Sequence, residues 1–458
     1  MTALYGGPLL FVSSSESGRI NPLLAIASDL GRRGGVPLVF ATTEDCRGEI
    51  EALPATPPVR FASLGEPNPE HLPKTWDNET FEAFTVSSRA QAVSAYLERV
   101  TDADFLQTVY DRLLAIVDEV KPALIIADQD VPYAFDAALA RDIPYVMTVP
   151  IPLGAVYGHR VPADYPKTFT GLPLQMTPQQ LEQNEEFARE VGEWAGNSAR
   201  IKKFVEQRVA AGFTNPACVS SVYADGARSV LGLTVFGVEY EFPDLPDNLT
   251  MVGALIPSDP AEREMTSLTG WLDEHESIVY IGFGTIMRPS AGQIAALVEA
   301  VRRLPDRHHV LWRLPESQQK LLPPREELPA NLRIESWLPS QTEVLAHPHV
   351  KVFFNHGGGN AVSEGSYFGT PQLVMPFWMD CYDWAARVVD SGIGLTVEYS
   401  AEPDPQWISG QLNRLLEEEL FAERAQHWSE RQREAGGLKA ASEIVLEHAT
   451  AAEQATQA

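Results

Sequence analysis

The sequence is short of cysteine. Among its 458 residues only Cys46, Cys218 and Cys381 occur, an odd and scattered set with no C-x-x-C pair. That argues against a disulfide framework or a cysteine zinc site, and it fits a reducing compartment. Positive charge is scarce as well: 35 Lys and Arg stand against 62 Asp and Glu, a formal net charge of −27. Such a chain repels nucleic acid and anionic membranes, and no basic cluster offsets the excess. No apolar run reaches the ~18 residues of a membrane span. The opening "MTALYGGPLLFVSSSESG" lacks a basic segment, and its apolar run is too short for a secretory signal. The expectation is a cytoplasmic protein with neither a membrane span nor a nucleic-acid partner.

What the sequence does have is alternation. Short apolar runs, "LLFVS" (9–13), "VPLVFAT" (36–42), "VRFASL" (59–64), "ALIIAD" (123–128) and "YVMTVP" (145–150), read as strands. Between them lie helix-like stretches at 21–33, roughly 78–118 and 133–142. The second half repeats the pattern, with strands at 277–285, 309–314, 332–337, 350–356, 371–377 and 394–399 and a helix at 291–304. Continuous apolar strands alternating with helices predict α/β folding with parallel sheets covered on both faces. The length calls for more than one core. We read 1–245 and 265–430 as doubly wound domains, 246–264 as a linker, and 431–458 as a C-terminal helix and tail free to pack back on the first domain. The end of that tail, "ATAAEQATQA", reads as frayed. Residues 151–230 are irregular, rich in Pro and Gly at first and then polar-helical. Ligands of such sheets lie beyond the carboxyl ends of strands, here expected in the crevice between the domains.

Two segments carry chemistry. The first is "SSSESGRINP" (13–22), where small residues lead into a helix and leave backbone N–H groups open, with Arg19 among them. The second is 337–384, whose centre is a strand followed by "HGGGNAVSEG". Its glycines allow close backbone approach to a ligand, and a helix beginning near Gly359 or Asn360 presents free N–H groups suited to phosphate oxygens. His356 can add a donor, Glu364 can accept from a ribose diol, and Trp337 offers a flat face for a base. Asp380, after another strand, can reach the same place. The plainer readings are core for Trp337 and structural or exposed positions for His308, His309 and His347.

This second segment resembles the C-terminal signature of the family 1, UDP-sugar-dependent glycosyltransferases. The matching residues are Trp337, Pro339, Gln341, Leu345, His347, Pro348, His356, Gly358, Asn360, Glu364, Gly369, Pro371, Pro376 and Asp380, with Ser340 as one extra residue before Gln341. "YIGFGT" resembles the family's Phe-Gly-Ser/Thr turn and brings in Thr285. The resemblance implies the GT-B fold, two Rossmann-like domains facing a central cleft. It implies a UDP-sugar as co-substrate, with no other cofactor and no catalytic metal. Trp337 would stack on uracil, Gln341 would lie near the base or ribose, and Glu364 would hold the ribose hydroxyls. Thr285, His356, Gly358 and Asn360 would bind the diphosphate, and Asp380, with Cys381 beside it, would meet the sugar.

The sequence departs from that family at three positions. Where the family's Gly-His-x-x-Pro carries the general base, this chain has Arg19; the orienting acid matches Asp128. Cys381 replaces a usual Gln and Ala361 a usual Ser. Arg cannot accept a proton at neutral pH, so an Arg19–Asp128 ion pair is expected in place of a His–Asp dyad. Three readings stay open. In one, a hexose passes from a UDP-sugar to a small, largely apolar acceptor (phenol, acid, terpenoid or polyketide-like) with inversion; Arg19 orients an anionic acceptor, or Glu16, Asp128 or Asp130 serves as base. In another, Arg19 supports an elimination or cyclisation without sugar transfer. In the third, the chain only binds a small molecule.

Overall fold

The computed structural model describes residues 6–85, 87–257, 266–338 and 340–457. Pro339 of the matched pattern and residues 258–264 of the predicted linker lie outside them. The chain divides into two units. The first comprises 1–170, 175–257 and 435–458, and the second 171–174 and 258–434.

The first unit is built on seven parallel strands: β1 (Leu9–Val12), β2 (Leu38–Thr42), β3 (Arg60–Ser63), β4 (Leu124–Asp128), β5 (Tyr145–Val149), β6 (Ser229–Gly232) and β7 (Leu249–Met251). Their order is β3-β2-β1-β4-β5-β6-β7. The winding reverses between β1 and β4, so the carboxyl ends of these two strands form the switch point where such sheets bind ligands. Both faces are covered. Leu10 and Val12 point into one apolar cluster, Leu9 and Phe11 into the other. This two-sided burial is why the strands read as unbroken apolar runs.

The helix Gly437–Gln457 closes the second of these clusters with Leu438, Ala441, Val445 and Ala449, spaced to fall on one helical face. Burying Leu438 and Val445 there contributes about 3–6 kcal/mol as an upper bound. The helix runs through most of the tail expected to fray.

The second unit carries six parallel strands: β8 (Ile278–Gly282), β9 (His309–Arg313), β10 (Leu332–Glu335), β11 (Val350–Asn355), β12 (Gln372–Val374) and β13 (Gly394–Thr396). Their order, β10-β9-β8-β11-β12-β13, puts a switch point between β8 and β11.

Four local expectations need correction. The region 78–118 is three helices, Asn78–Thr85, Arg89–Val100 and Ala103–Val120, divided where Ser88 and Asp102 cap the second and third. Residues 249–251 of the predicted linker form β7. The end of the irregular stretch contributes β6, which pairs with β5 on one side and β7 on the other. The first helix begins at Ser17 rather than near 21. Pro22 lies inside this helix.

Candidate active site

At the β1–β4 switch point, Arg19 lies in the first turn of the helix Ser17–Arg33. A cation there opposes the helix dipole, so it needs anionic company. It has three carboxylates. Its Nε donates to Glu16 Oε2 at 2.7 Å, and its Nη1 meets Asp130 and, at 3.5 Å, Asp128 Oδ1. The expected Arg19–Asp128 pair is therefore the longest arm of a shared guanidinium. Asp130 is 48% exposed, though desolvation still raises its carboxyl, whereas Asp128 is fully buried at the end of β4. Burial works against the Arg19 charge, but Asp130 and Glu16 outweigh it and raise its pKa. The cation is permanent.

Asp128 differs from its neighbours. Oδ1 accepts from the Asp130 N–H at 3.0 Å, while the buried Oδ2 has no hydrogen-bond partner. Burial pushes its pKa up to about 7; Arg19 lowers it and Asp130 raises it. Burial also raises Glu16. A carboxyl that gains and loses a proton near neutrality, with a bare oxygen, can act as a general base.

At the β8–β11 switch point the parts are mostly neutral. Phe283 packs against Phe354 and Phe377 and anchors the turn after β8, which leaves Gly284 and Thr285 at the strand's end. The His356 ring sits between two glycines. A Cβ on Gly284 would lie 2.8 Å from its Cε1, and one on Gly358 2.5 Å from its Nε2. Burial pushes His356 down to about 4, and its buried Nδ1 has no partner. It is a neutral imidazole, able to donate one hydrogen bond.

The turn beside His356 is fixed by buried amides. The Gly357 N–H donates to Asn355 Oδ1 at 2.8 Å, and Asn355 Nδ2 donates to Gln372 Oε1 at 2.9 Å. The helix Gly359–Tyr367 follows. Its N-cap, Gly358, has no side chain to cap it, and a helix start of this kind suits an anion. Asn360 is its second residue, and Glu364 lies on its second turn.

Glu364 Oε2 accepts from Gln341 Nε2 at 2.6 Å, and Gln341 Oε1 accepts from the Tyr280 hydroxyl at 3.2 Å. Burial raises Glu364 to about 7 against the pull of Gln341. Trp337 is 65% exposed, so it is no core residue. The Arg313 guanidinium lies 5.7 Å from its ring centroid and donates to the Gly284 carbonyl at 2.5 Å. Asp380 follows Met379, which holds a left-handed φ of 46°, an uncommon conformation for a non-glycine residue.

Contacts thus connect Trp337, His356, Gly358, Gln341 and Glu364 around one switch point, and Arg19 with Asp128 around the other. Cys381 is a correction. It is 2% exposed and burial raises its thiol, so its contribution is a backbone carbonyl that would lie 2.6 Å from a Cβ on Gly357. Sequence reasoning passed over Arg313 and Tyr280. A charge closing the apolar strand "HVLWR" was the available signal for Arg313. His347 pairs with Asp273 and His308 with Ser277, as structural residues would. Among the described residues no group of three or more His, Cys, Asp or Glu side chains could hold a metal, and no helix is long and apolar enough to cross a membrane.

The model of the family described as UDP-glucoronosyl and UDP-glucosyl transferase matches residues 166–430, more than half of the chain. The chain belongs to that family. This UDP-glycosyltransferase-family chain is 30% identical over 200 residues to the 2-hydroxyacylsphingosine 1-beta-galactosyltransferase of Rattus norvegicus, covering 43% of this chain and 35% of that protein. It is 39% identical over 116 residues to the flavonol 3-O-glucosyltransferase F3GT2 of Actinidia chinensis var. chinensis, covering 24% of each. The chain thus spans about a third or less of the length of these curated relatives.

Among solved structures, the glycotransferase of kitacinnamycin superposes with a TM-score of 0.69 at 18% identity, covering 96% of this chain and 99% of that one. Os79 from O. sativa, solved with U2F and trichothecene, gives 0.66 at 17% identity over 96% and 99%. These likenesses establish the fold of this family member as GT-B.

Proposed function

We propose that the chain transfers a hexose from a UDP-sugar to a small, largely apolar acceptor, with inversion at the anomeric carbon. The observation that carries the proposal is the β8–β11 switch point, where an uncapped helix start, a neutral imidazole and the Gln341–Glu364 pair adjoin. In this reading Trp337 stacks on uracil, Gln341 and Glu364 hold the nucleoside, and Asp380 meets the sugar. Thr285, His356, Gly358, Asn360 and the helix start take the diphosphate. Their donors stabilise charge as UDP departs with the electrons of the broken C1–O bond.

Asp128 is the proposed base. Its bare Oδ2 takes the acceptor proton as the acceptor oxygen attacks C1. Arg19 cannot do so; bound to Glu16, Asp130 and Asp128, it keeps the acidic cluster partly neutralised and Asp128 near neutral pH. That engagement favours Asp128 as proton acceptor over Arg19 as the clamp of an anionic acceptor. It also weakens the sugar-free elimination reading, which needs Arg19 at the substrate. An acceptor with a hydroxyl on an apolar body fits the names of the Rattus norvegicus and Actinidia relatives, a hydroxyacylsphingosine galactosyltransferase and a flavonol glucosyltransferase.

The test is incubation with UDP-hexoses and a panel of phenolic, carboxylic and terpenoid acceptors, read by mass. The proposal expects acceptors heavier by one hexose residue and stoichiometric UDP. Acceptor conversion without nucleotide sugar, or binding without any turnover, would contradict it.

A further inference from the structure

The chain leaves the first unit for four residues, Gly171–Leu174, which belong to the second. This strap lies on the helix Cys381–Asp390. The Gly171 N–H donates to Asp383 Oδ1 at 2.8 Å, and the Leu174 N–H donates to Asp390 Oδ2 at 3.0 Å. The spacings match. Seven helical residues rise about 10 Å. Three residues of extended chain span about 10 Å as well. Pro173 favours that extension in Leu172 before it.

The inner end of the strap is tightly built. Asp383 is 2% exposed, so its carboxylate depends on protein donors such as the Gly171 N–H. Gly171 has a φ of 70°, and a Cβ there would lie 2.8 Å from Tyr382 Cβ. The next residue back, Cys381, presses its carbonyl on the Gly357 turn beside His356. Directly before it come Asp380 and the left-handed Met379. A continuous line of contact therefore runs from the strap through Asp383 and Tyr382 to the tip of the helix and the Gly357 turn.

We propose that Gly171 and Asp383 are positioning residues, and that the strap sets the placement of the Asp380–Cys381 tip and with it the grip on the hexose. Neither residue needs to touch the donor. The inference rests on the UDP-sugar reading above, in which Asp380 meets the sugar while the nucleoside is held at Trp337, Gln341 and Glu364.

The experiment compares the Kd of UDP-glucose with that of UDP for the full chain and for G171A, D383A and D383N, with thermal melts to verify folding. For G171A and D383A the UDP-glucose Kd should rise about tenfold while that of UDP stays within about twofold. D383N, whose Oδ1 still accepts from Gly171, should keep most of the UDP-glucose affinity. Should D383A not fold, G171A and L174P, which removes the outer N–H, carry the test. Equal losses for both ligands, or no loss, would overturn the inference while leaving the donor site standing. Wild-type protein that binds neither ligand would overturn the UDP-sugar reading itself, and this inference with it.

Discussion

At the β1–β4 switch point the working side chains are ionic: Arg19 meets Glu16, Asp128 and Asp130. At the β8–β11 switch point they are nearly all neutral, with His356 held uncharged by burial and flanked by glycine backbone. The same topology thus positions two kinds of chemistry. Neutral N–H donors and a helix start can hold a doubly charged phosphate group without a fixed counter-ion, and they let it go once the reaction is over. A buried acid beside a shared guanidinium does something else, keeping a proton acceptor poised near pH 7. Arg313, a cation beside the neutral groups, is tied to a backbone carbonyl and lies over Trp337.

This contrast can be broken most sharply at Asp128. D128N should lower turnover by about a thousandfold, within the usual range for losing a general base, with the Kd of UDP unchanged. A loss of UDP affinity would erase the division between the two switch points. Next in size, R19M removes the cation that opposes proton retention on Asp128. The rising limb of its pH–rate profile should move above pH 7, cutting turnover at pH 7 by about tenfold.

In the neutral half, G358A puts a Cβ against His356 Nε2 and should weaken UDP by up to about tenfold, through a lost or displaced hydrogen bond. The smallest effect is on pH dependence. Glu364, raised to about 7, accepts more strongly from a diol once ionised. UDP affinity should therefore fall severalfold from pH 8 to pH 6, with proton release on binding near pH 6.5, and E364Q should flatten that slope. Both Glu364 and Asp128 have folded values above their ordinary ones. Their contribution to folding stability is full below pH 4 and is lost as pH rises through 7.

Much of this was legible in the sequence because two-sided burial writes strands as apolar runs. "LLFV", "LIIAD" and "VKVFFN" were each found within a residue or so. The glycine turn and the helix start at Gly359 were visible for a similar local reason. What stayed hidden depends on strand order. Tyr280 sits on β8 at the switch point and Arg313 on the neighbouring β9, and no spacing along the chain announces that. Nor could the sequence divide Arg19 among three carboxylates, since Asp130 joins it from the far side of β1–β4 pairing. The first helix was read short because its opening turn, Ser17 to Ile20, carries few apolar residues. The strap at Gly171–Leu174 is likewise a tertiary event; "GLPL" alone is an ordinary loop.

The most direct test is calorimetric titration of UDP into the wild-type chain and into W337A and E364A. The account predicts one UDP per chain, and a Kd raised about tenfold to a hundredfold in each variant, the cost of a lost stacking face or of a hydrogen bond to a charged group. Wild-type protein that takes up no UDP, or variants that bind it as tightly as wild type, would contradict the claim that the β8–β11 switch point is a nucleotide site.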